Sequence, residues 1–303
     1  MINQEMYSGC FYGLALGDAL CAPYEGGFLE RGLWKLLGKT KVGEIRYTDD
    51  TQMSIDVAHS LLEQGNVEQD YLASEFASNY RWSRGYGPGA AKMLKKIRKG
   101  KAWHEVNRSV FPQGSYGNGA AMRAPIAALY YFDNREEMLN AVHKVSEITH
   151  CHPLAIEGAQ LIALVVTFSL SHTKPDIWLE LLLDNSPSTE FQSRINIAKN
   201  WIETEKLTTP KIVRKELGNG IAATHSCITA IYIAIRFINQ SFLEMLHFIQ
   251  KCSGDTDTIA AMAGSIWGAY NGSTHLKQET TNLESRDEIL ELSIRLYQHT
   301  TTQ

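Results

Sequence analysis

An all-α fold is the class this sequence predicts, and three observations carry the prediction. Apolar residues recur at helical spacing over Met6 to Leu20, Met53 to Leu62, Tyr71 to Tyr80, Met138 to Ile148, Leu154 to Leu170, Ile228 to Ile238 and Ile259 to Tyr270. Period-two alternation between turn signals is scarce, which removes the usual evidence for strands. The β-branched run Ile228-Thr229-Ala230-Ile231-Tyr232-Ile233 has strand propensity, but its length suits a buried helix. No linker rich in Pro, Gly or Ser divides the chain, so residues 1–303 read as one domain, long enough for a large core.

Taken in order, the first segment carries Gly9, Gly13 and Gly17 at every fourth position. Glycine costs up to about 1 kcal/mol inside a helix, so three on one stripe call for compensation, most simply a close approach by another backbone. The segment after Asp257 offers the match, with Ala260, Gly264 and Gly268 at the same spacing. Asp18 follows the first stripe as a residue to cap or pair at a helix end. Glu25 lies between Pro23 and the Gly26-Gly27 pair, a carboxylate on a mobile loop.

Thr48-Asp49-Asp50-Thr51 opens the second helical segment, and Ser253-Gly254-Asp255-Thr256-Asp257-Thr258 opens the last. Asp and Thr are ordinary capping residues, favoured by orphan amides and the helix dipole. One cap suffices for one helix, however, and each cluster supplies several hard oxygen ligands of the kind Mg²⁺ or Ca²⁺ requires. Two such clusters in one chain favour a cation, because adjacent buried carboxylates repel until one neutralises them.

Arg81 to Lys101 holds eight Lys or Arg and no acid, and begins with the glycine-rich turn Arg84-Gly85-Tyr86-Gly87-Pro88-Gly89. A solvated basic face accounts for this, while a basic entry beside a metal site also suits a phosphate-bearing substrate. Gly114-Ser115-Tyr116-Gly117-Asn118-Gly119, just ahead of Ala120-Ala121-Met122-Arg123, exposes backbone amides that can cradle phosphate oxygens, although the P-loop Gly-Lys-Ser/Thr is missing. Thr149-His150-Cys151-His152-Pro153 precedes a further helix; the rest of a zinc site is not apparent nearby, so its histidines are read as hydrogen-bonding or stacking with a substrate base.

A net charge of −4 gives no global attraction to nucleic acid. The five cysteines are scattered and never form a C-x-x-C pair, which points to a reducing compartment. The N-terminus lacks the features of a signal peptide, and Leu161 to Leu170 is too short a run to span a bilayer. The expectation is a cytoplasmic monomer with no membrane association.

Together, Gly17-Asp18-Ala19, Thr48-Asp49-Asp50-Thr51, Gly117-Asn118-Gly119-Ala120-Ala121-Met122-Arg123, Thr149-His150 and Gly254-Asp255-Thr256-Asp257-Thr258 resemble, in order and over roughly Met6 to Gly272, the motifs of the ADP-ribosylglycohydrolases. The resemblance implies a compact orthogonal helical bundle with a central binuclear Mg²⁺ centre, where Mn²⁺ substitutes. It further implies Thr48, Asp49, Asp50, Asp255, Asp257 and Thr258 as metal ligands, and an ADP-ribosylated protein or other ADP-ribose conjugate as partner. The serine-linkage and poly-ADP-ribose branch is the closer one: Arg84-Gly85-Tyr86-Gly87, Lys95-Lys96 and Gly114 to Gly119 look like its substrate loops, Glu25 like its mobile glutamate, and His150 like its adenosine-side histidine. The dinitrogenase-reductase-activating branch, which cleaves arginine linkages, carries a Phe-Asp-Ile-Gly element where this chain reads Gly89-Ala90-Ala91-Lys92-Met93. O-linked conjugates are therefore the expected substrates; were arginine conjugates cleaved, Glu25 or Glu30 is where a guanidinium partner would be sought. Asp49, Asp50, Asp255 and Glu25 all remain candidates for general acid or base.

Overall fold

A computed structural model describes residues 2–302, apart from the side chains of Phe28, Leu29, Glu30, Lys35 and Thr302. Helices account for the regular structure: α1 (Gln4–Cys21), α2 (Phe28–Leu37), α3 (Asp49–Gln64), α4 (Gln69–Asn79), α5 (Pro88–Ile97), α6 (Trp103–Val106), α7 (Ala124–Tyr130), α8 (Arg135–Glu147), α9 (Pro153–Leu170), α10 (Trp178–Leu183), α11 (Thr189–Glu203), α12 (Pro210–Glu216), α13 (Ala223–Arg236), α14 (Phe242–Cys252), α15 (Thr256–Asn271) and α16 (Arg286–Thr302). Among the described residues β pairing is limited to isolated bridges. The all-α expectation therefore holds, and Ile228 to Ile233 lies inside α13 as a buried helix.

The fold is organised around the pairing of α1 with α15, its most extensive helix contact. The two glycine stripes meet as the spacing requires. A Cβ on Gly13 would lie 2.0 Å from the Gly264 carbonyl oxygen, one on Gly17 2.1 Å from that of Ala260, and one on Gly268 1.9 Å from that of Gly9. No side chain fits there, so the backbone contact offsets the helical cost of the glycines. Because α15 begins at Thr256 and α1 ends at Cys21, this register sets the second acidic motif beside the end of the first helix; Thr256 Oγ1 donates to the Cys21 carbonyl at 3.1 Å.

One continuous apolar core runs from Met6 to Leu296. Helix α9 is 18 residues long and apolar enough to cross a membrane by composition, longer than the run Leu161 to Leu170 suggested. Its surface is mostly buried against α7, α8, α13 and α15. All five cysteines are buried thiols. Glu30 belongs to α2, but its side chain lies outside the described ones.

Candidate active site

The start of α3 is built from below. Asp18, fully buried in the last turn of α1, accepts from the Thr48 amide at 2.9 Å, the Thr51 amide at 3.1 Å and the Thr51 hydroxyl at 2.6 Å. These bonds partly oppose the upward push that burial gives its pKa. Thr48 is the N-cap: its hydroxyl oxygen accepts from the Asp50 amide at 3.4 Å, and its proton goes to Asp50 Oδ2 at 2.8 Å. Arg84 fixes the same loop from outside, donating to the Tyr47 carbonyl at 2.8 Å and forming a two-pronged pair with Glu284 at 2.6 and 2.9 Å. This buried guanidinium is a structural clasp, and it is not among the residues that line the cleft.

The start of α15 is made differently. Asp255 occupies the N-cap position but makes no capping bond. Its Oδ2 instead accepts from Asn118 Nδ2 at 2.5 Å, and that amide also donates to Ser226 Oγ at 3.0 Å. Gly254 supplies the required turn, with φ +85° and a would-be Cβ 2.2 Å from the Asn219 carbonyl, whose oxygen accepts from the Asp255 amide. The carboxylates of Glu25, Asp255 and Asp257 converge so that an oxygen of each lies within 4.8 Å of the others.

These acids raise one another's pKa. Burial is the leading cause for Asp49, Asp50 and Asp257, which stand well above the ordinary carboxylate value, followed by Asp18 for the first two and Glu25 for Asp257. Asp50 Oδ1 is buried with no hydrogen-bond partner. Several desolvated carboxylates, one with an orphaned oxygen, form the donor set that a hard divalent cation satisfies. The converging oxygens of Glu25, Asp255 and Asp257 are of the kind a hard divalent cation takes, and Asp49 and Thr258 line the same cleft.

Away from the acids the cleft, with an enclosed volume of about 390 Å³, becomes neutral. Glu25, Asp49, Asp255, Asp257 and Thr258 line one part; Gly85, Gly87, Ser115, Gly117, Asn118 and His150 line the rest. Thr48, Asp50, Tyr86, Gly114 and Tyr116 are not among the lining residues. Tyr86 is buried against Tyr80, Gly114 turns at φ +86° against the Cys151 and His152 backbone, and Tyr116 is exposed with its edge to His152. Two amides of the expected phosphate cradle are already engaged, Gly117 to Ser115 Oγ at 3.3 Å and Asn118 to the Ile221 carbonyl at 2.8 Å. The two histidines divide: His150 lines the cleft, whereas His152 Nδ1 accepts from the Leu154 amide and caps α9.

Lining residues that sequence reasoning misses are Met53, Phe111, Met122 and Ile221. Apolar residues in helices and loops carry no local signal of facing a cleft. Asp18 is visible in the sequence only as a helix-end acid, and its bracing role requires the docked α3.

The chain matches the family profile described as ADP-ribosylglycohydrolase over residues 2–303. It is 31% identical to ADP-ribosylhydrolase ARH3 of Xenopus tropicalis over 88% of this chain and 87% of that protein, and 33% identical to ADP-ribosylhydrolase ARH3 of Gallus gallus over 88% and 85%. A solved structure titled ADP-ribosylglycohydrolase-related protein complex superposes with a TM-score of 0.74 at 23% identity, covering 98% of both chains, and so shares the fold.

Proposed function

This chain belongs to the ADP-ribosylglycohydrolase family and is a glycosidic-bond hydrolase, and from that premise we propose that it releases ADP-ribose from O-linked conjugates in a divalent-metal-dependent reaction, with Mg²⁺ the physiological ion. The observation that carries the reading is the polarity of one cleft: clustered carboxylates from two helix starts, and beyond them a neutral wall of glycines, Ser115 and His150. That division suits a substrate with reacting ribose hydroxyls at one end and a diphosphate and base at the other.

A divalent ion held by these carboxylates would supply Lewis-acid polarisation of hydroxyl and water oxygens. The chain's own groups do the rest. Glu25, half-buried on the loop after Pro23, stands within reach of Asp255 and Asp257, at the position for a proton acceptor or donor beside the scissile bond. Asn118 holds the Asp255 carboxylate in its rotamer, and the Asp18 brace holds the start of α3, which carries Asp49 and Asp50.

The choice of linkage rests on the segment after Tyr86. Gly87, Pro88, Gly89 and Ala90 line the cleft without a carboxylate, and a guanidinium leaving group, always charged, benefits from one. A neutral serine oxygen does not need it. Comparing kcat/KM on matched serine-linked and arginine-linked peptides, with Mg²⁺ and with chelator, tests both parts. Faster release of free ADP-ribose from the serine peptide, lost on chelation, is the expected result. Preference for the arginine peptide overturns the linkage, and full activity in chelator overturns the metal.

A further inference from the structure

Behind the neutral wall lies a buried cation that the proposed chemistry has not used. Arg123 is fully buried in the 3₁₀ turn Asn118–Arg123, and among the described residues it forms no ion pair. Its Nη1 donates to the Gly119 carbonyl; its Nη2 donates to the Val145 carbonyl at 3.0 Å and to Thr149 Oγ1 at 2.8 Å. Thr149 Oγ1 in turn lies 2.8 Å from His150 Nδ1. Among the described residues, no Lys or Arg lines the cleft itself.

Proton accounting fixes the imidazole. Thr149 is wholly buried, and its oxygen already accepts from Arg123, so its single proton needs an acceptor. The acceptor within reach is His150 Nδ1, which must then be unprotonated and leave the ring's hydrogen on Nε2. A charged imidazolium would turn an N–H toward the same hydroxyl and stand beside the guanidinium. Burial, and then Arg123, accordingly press the pKa of His150 down to about 3. Nε2 faces the glycine loop: a Cβ on Gly117 would lie 3.3 Å from it, and one on Gly119 3.0 Å.

We propose that Arg123 and Thr149 are positioning residues that lock His150 as a neutral Nε2–H donor to the diphosphate of the ADP-ribose moiety, with the buried guanidinium providing countercharge from behind the loop. This rests on the substrate reading above. The arrangement gives a dianion a fixed donor and a positive field without a mobile side chain in the cleft, which preserves the closeness of the glycine wall.

Two measurements decide it. In ¹⁵N-edited NMR of the wild type, His150 is expected as the Nε2–H tautomer; an Nδ1–H tautomer overturns the relay whatever the variants do. In calorimetry, Thr149→Val, near-isosteric but without the hydroxyl, is expected to weaken ADP-ribose binding about tenfold, the size of one oriented hydrogen bond. Thr149→Ser restores it, and adenosine, which lacks the diphosphate, binds both proteins alike. His150→Gln, whose amide nitrogen can replace Nε2–H, retains more affinity than His150→Asn. Wild-type affinity in Thr149→Val overturns the proposal, and equal loss for adenosine overturns the assignment to the diphosphate. If the wild type fails to bind ADP-ribose at all, the substrate reading falls, while the tautomer still decides the relay.

Discussion

The helix starts at Thr48 and at Asp255 are composed of the same two residue types and are used in opposite ways. At the first, Thr48 caps the helix, Asp50 takes the Thr48 hydroxyl proton, and Asp18 from another helix gathers the amides of Thr48 and Thr51. At the second, the residue in the cap position makes no cap, and its carboxylate is bound by Asn118 from a loop 137 residues away in sequence. The difference teaches that Asp and Thr at a helix start declare only a surplus of oxygen ligands. Whether those oxygens satisfy the helix or face a guest is decided by the neighbour that arrives. The first start is strongly braced so that Asp49 can face the cleft; the second is left with unbalanced negative charge beside Glu25.

If that contrast is right, removing a carboxylate of the second start costs activity and removing the brace beneath the first costs stability. The largest effect belongs to Asp257→Asn, which removes a site carboxylate without altering shape: turnover should fall by roughly a thousandfold or more. In chelator its Tm should exceed the wild type's, because one of several mutually repelling buried charges is gone. A variant of lowered Tm and normal turnover would erase the contrast.

Asp18→Asn comes next. The new amide turns donors toward the Thr48 and Thr51 donors, so urea unfolding should show a loss of roughly 2–4 kcal/mol. Unchanged stability would mean that the brace is dispensable.

A third change sharpens the comparison within α3 itself. Asp56, two turns beyond Asp49, is buried, accepts from Asn79 and Gln52 through Oδ1, and is pushed by burial up to about 7 from 3.8. Between those values the folded chain keeps a proton that the unfolded chain has lost. Its contribution to stability is therefore full below about pH 4 and is lost as pH rises through about 7. Asp56→Asn should equal the wild type near pH 4 and gain a Tm advantage up to pH 7, of roughly 2–4 °C for each kcal/mol. A constant difference across that range would remove Asp56 as its source.

Much of this molecule is legible in its residues alone. The helical periods of Met53 to Leu62 and Leu154 to Leu170 mark α3 and α9, because an amphipathic or buried helix writes its own spacing. The glycine stripes of α1 and α15 imply their partner, since three side-chain-free positions on one face have a cost that only a close backbone contact offsets. Short helices such as α6, α7 and α12 give no such pattern, being too brief for periodicity to accumulate. The functions of individual polar residues are less legible still. Arg84 and Arg123 look alike in the sequence, yet Arg84 pairs with Glu284 and clasps a loop, while Arg123 is enclosed behind the His150 wall with no ion pair among the described residues. The sequence by itself determined the helical class, helices such as α1, α3, α9 and α15, the surplus of oxygen ligands at two helix starts and the stripe along which two helices meet, because each arises from spacing and local hydrogen bonding. Only the tertiary structure decided which carboxylates face one another and that Arg84, unlike Arg123 among the described residues, finds a carboxylate partner, because those outcomes depend on groups 200 or more residues apart in sequence, Arg84 and Glu284 among them, being brought within a few ångströms.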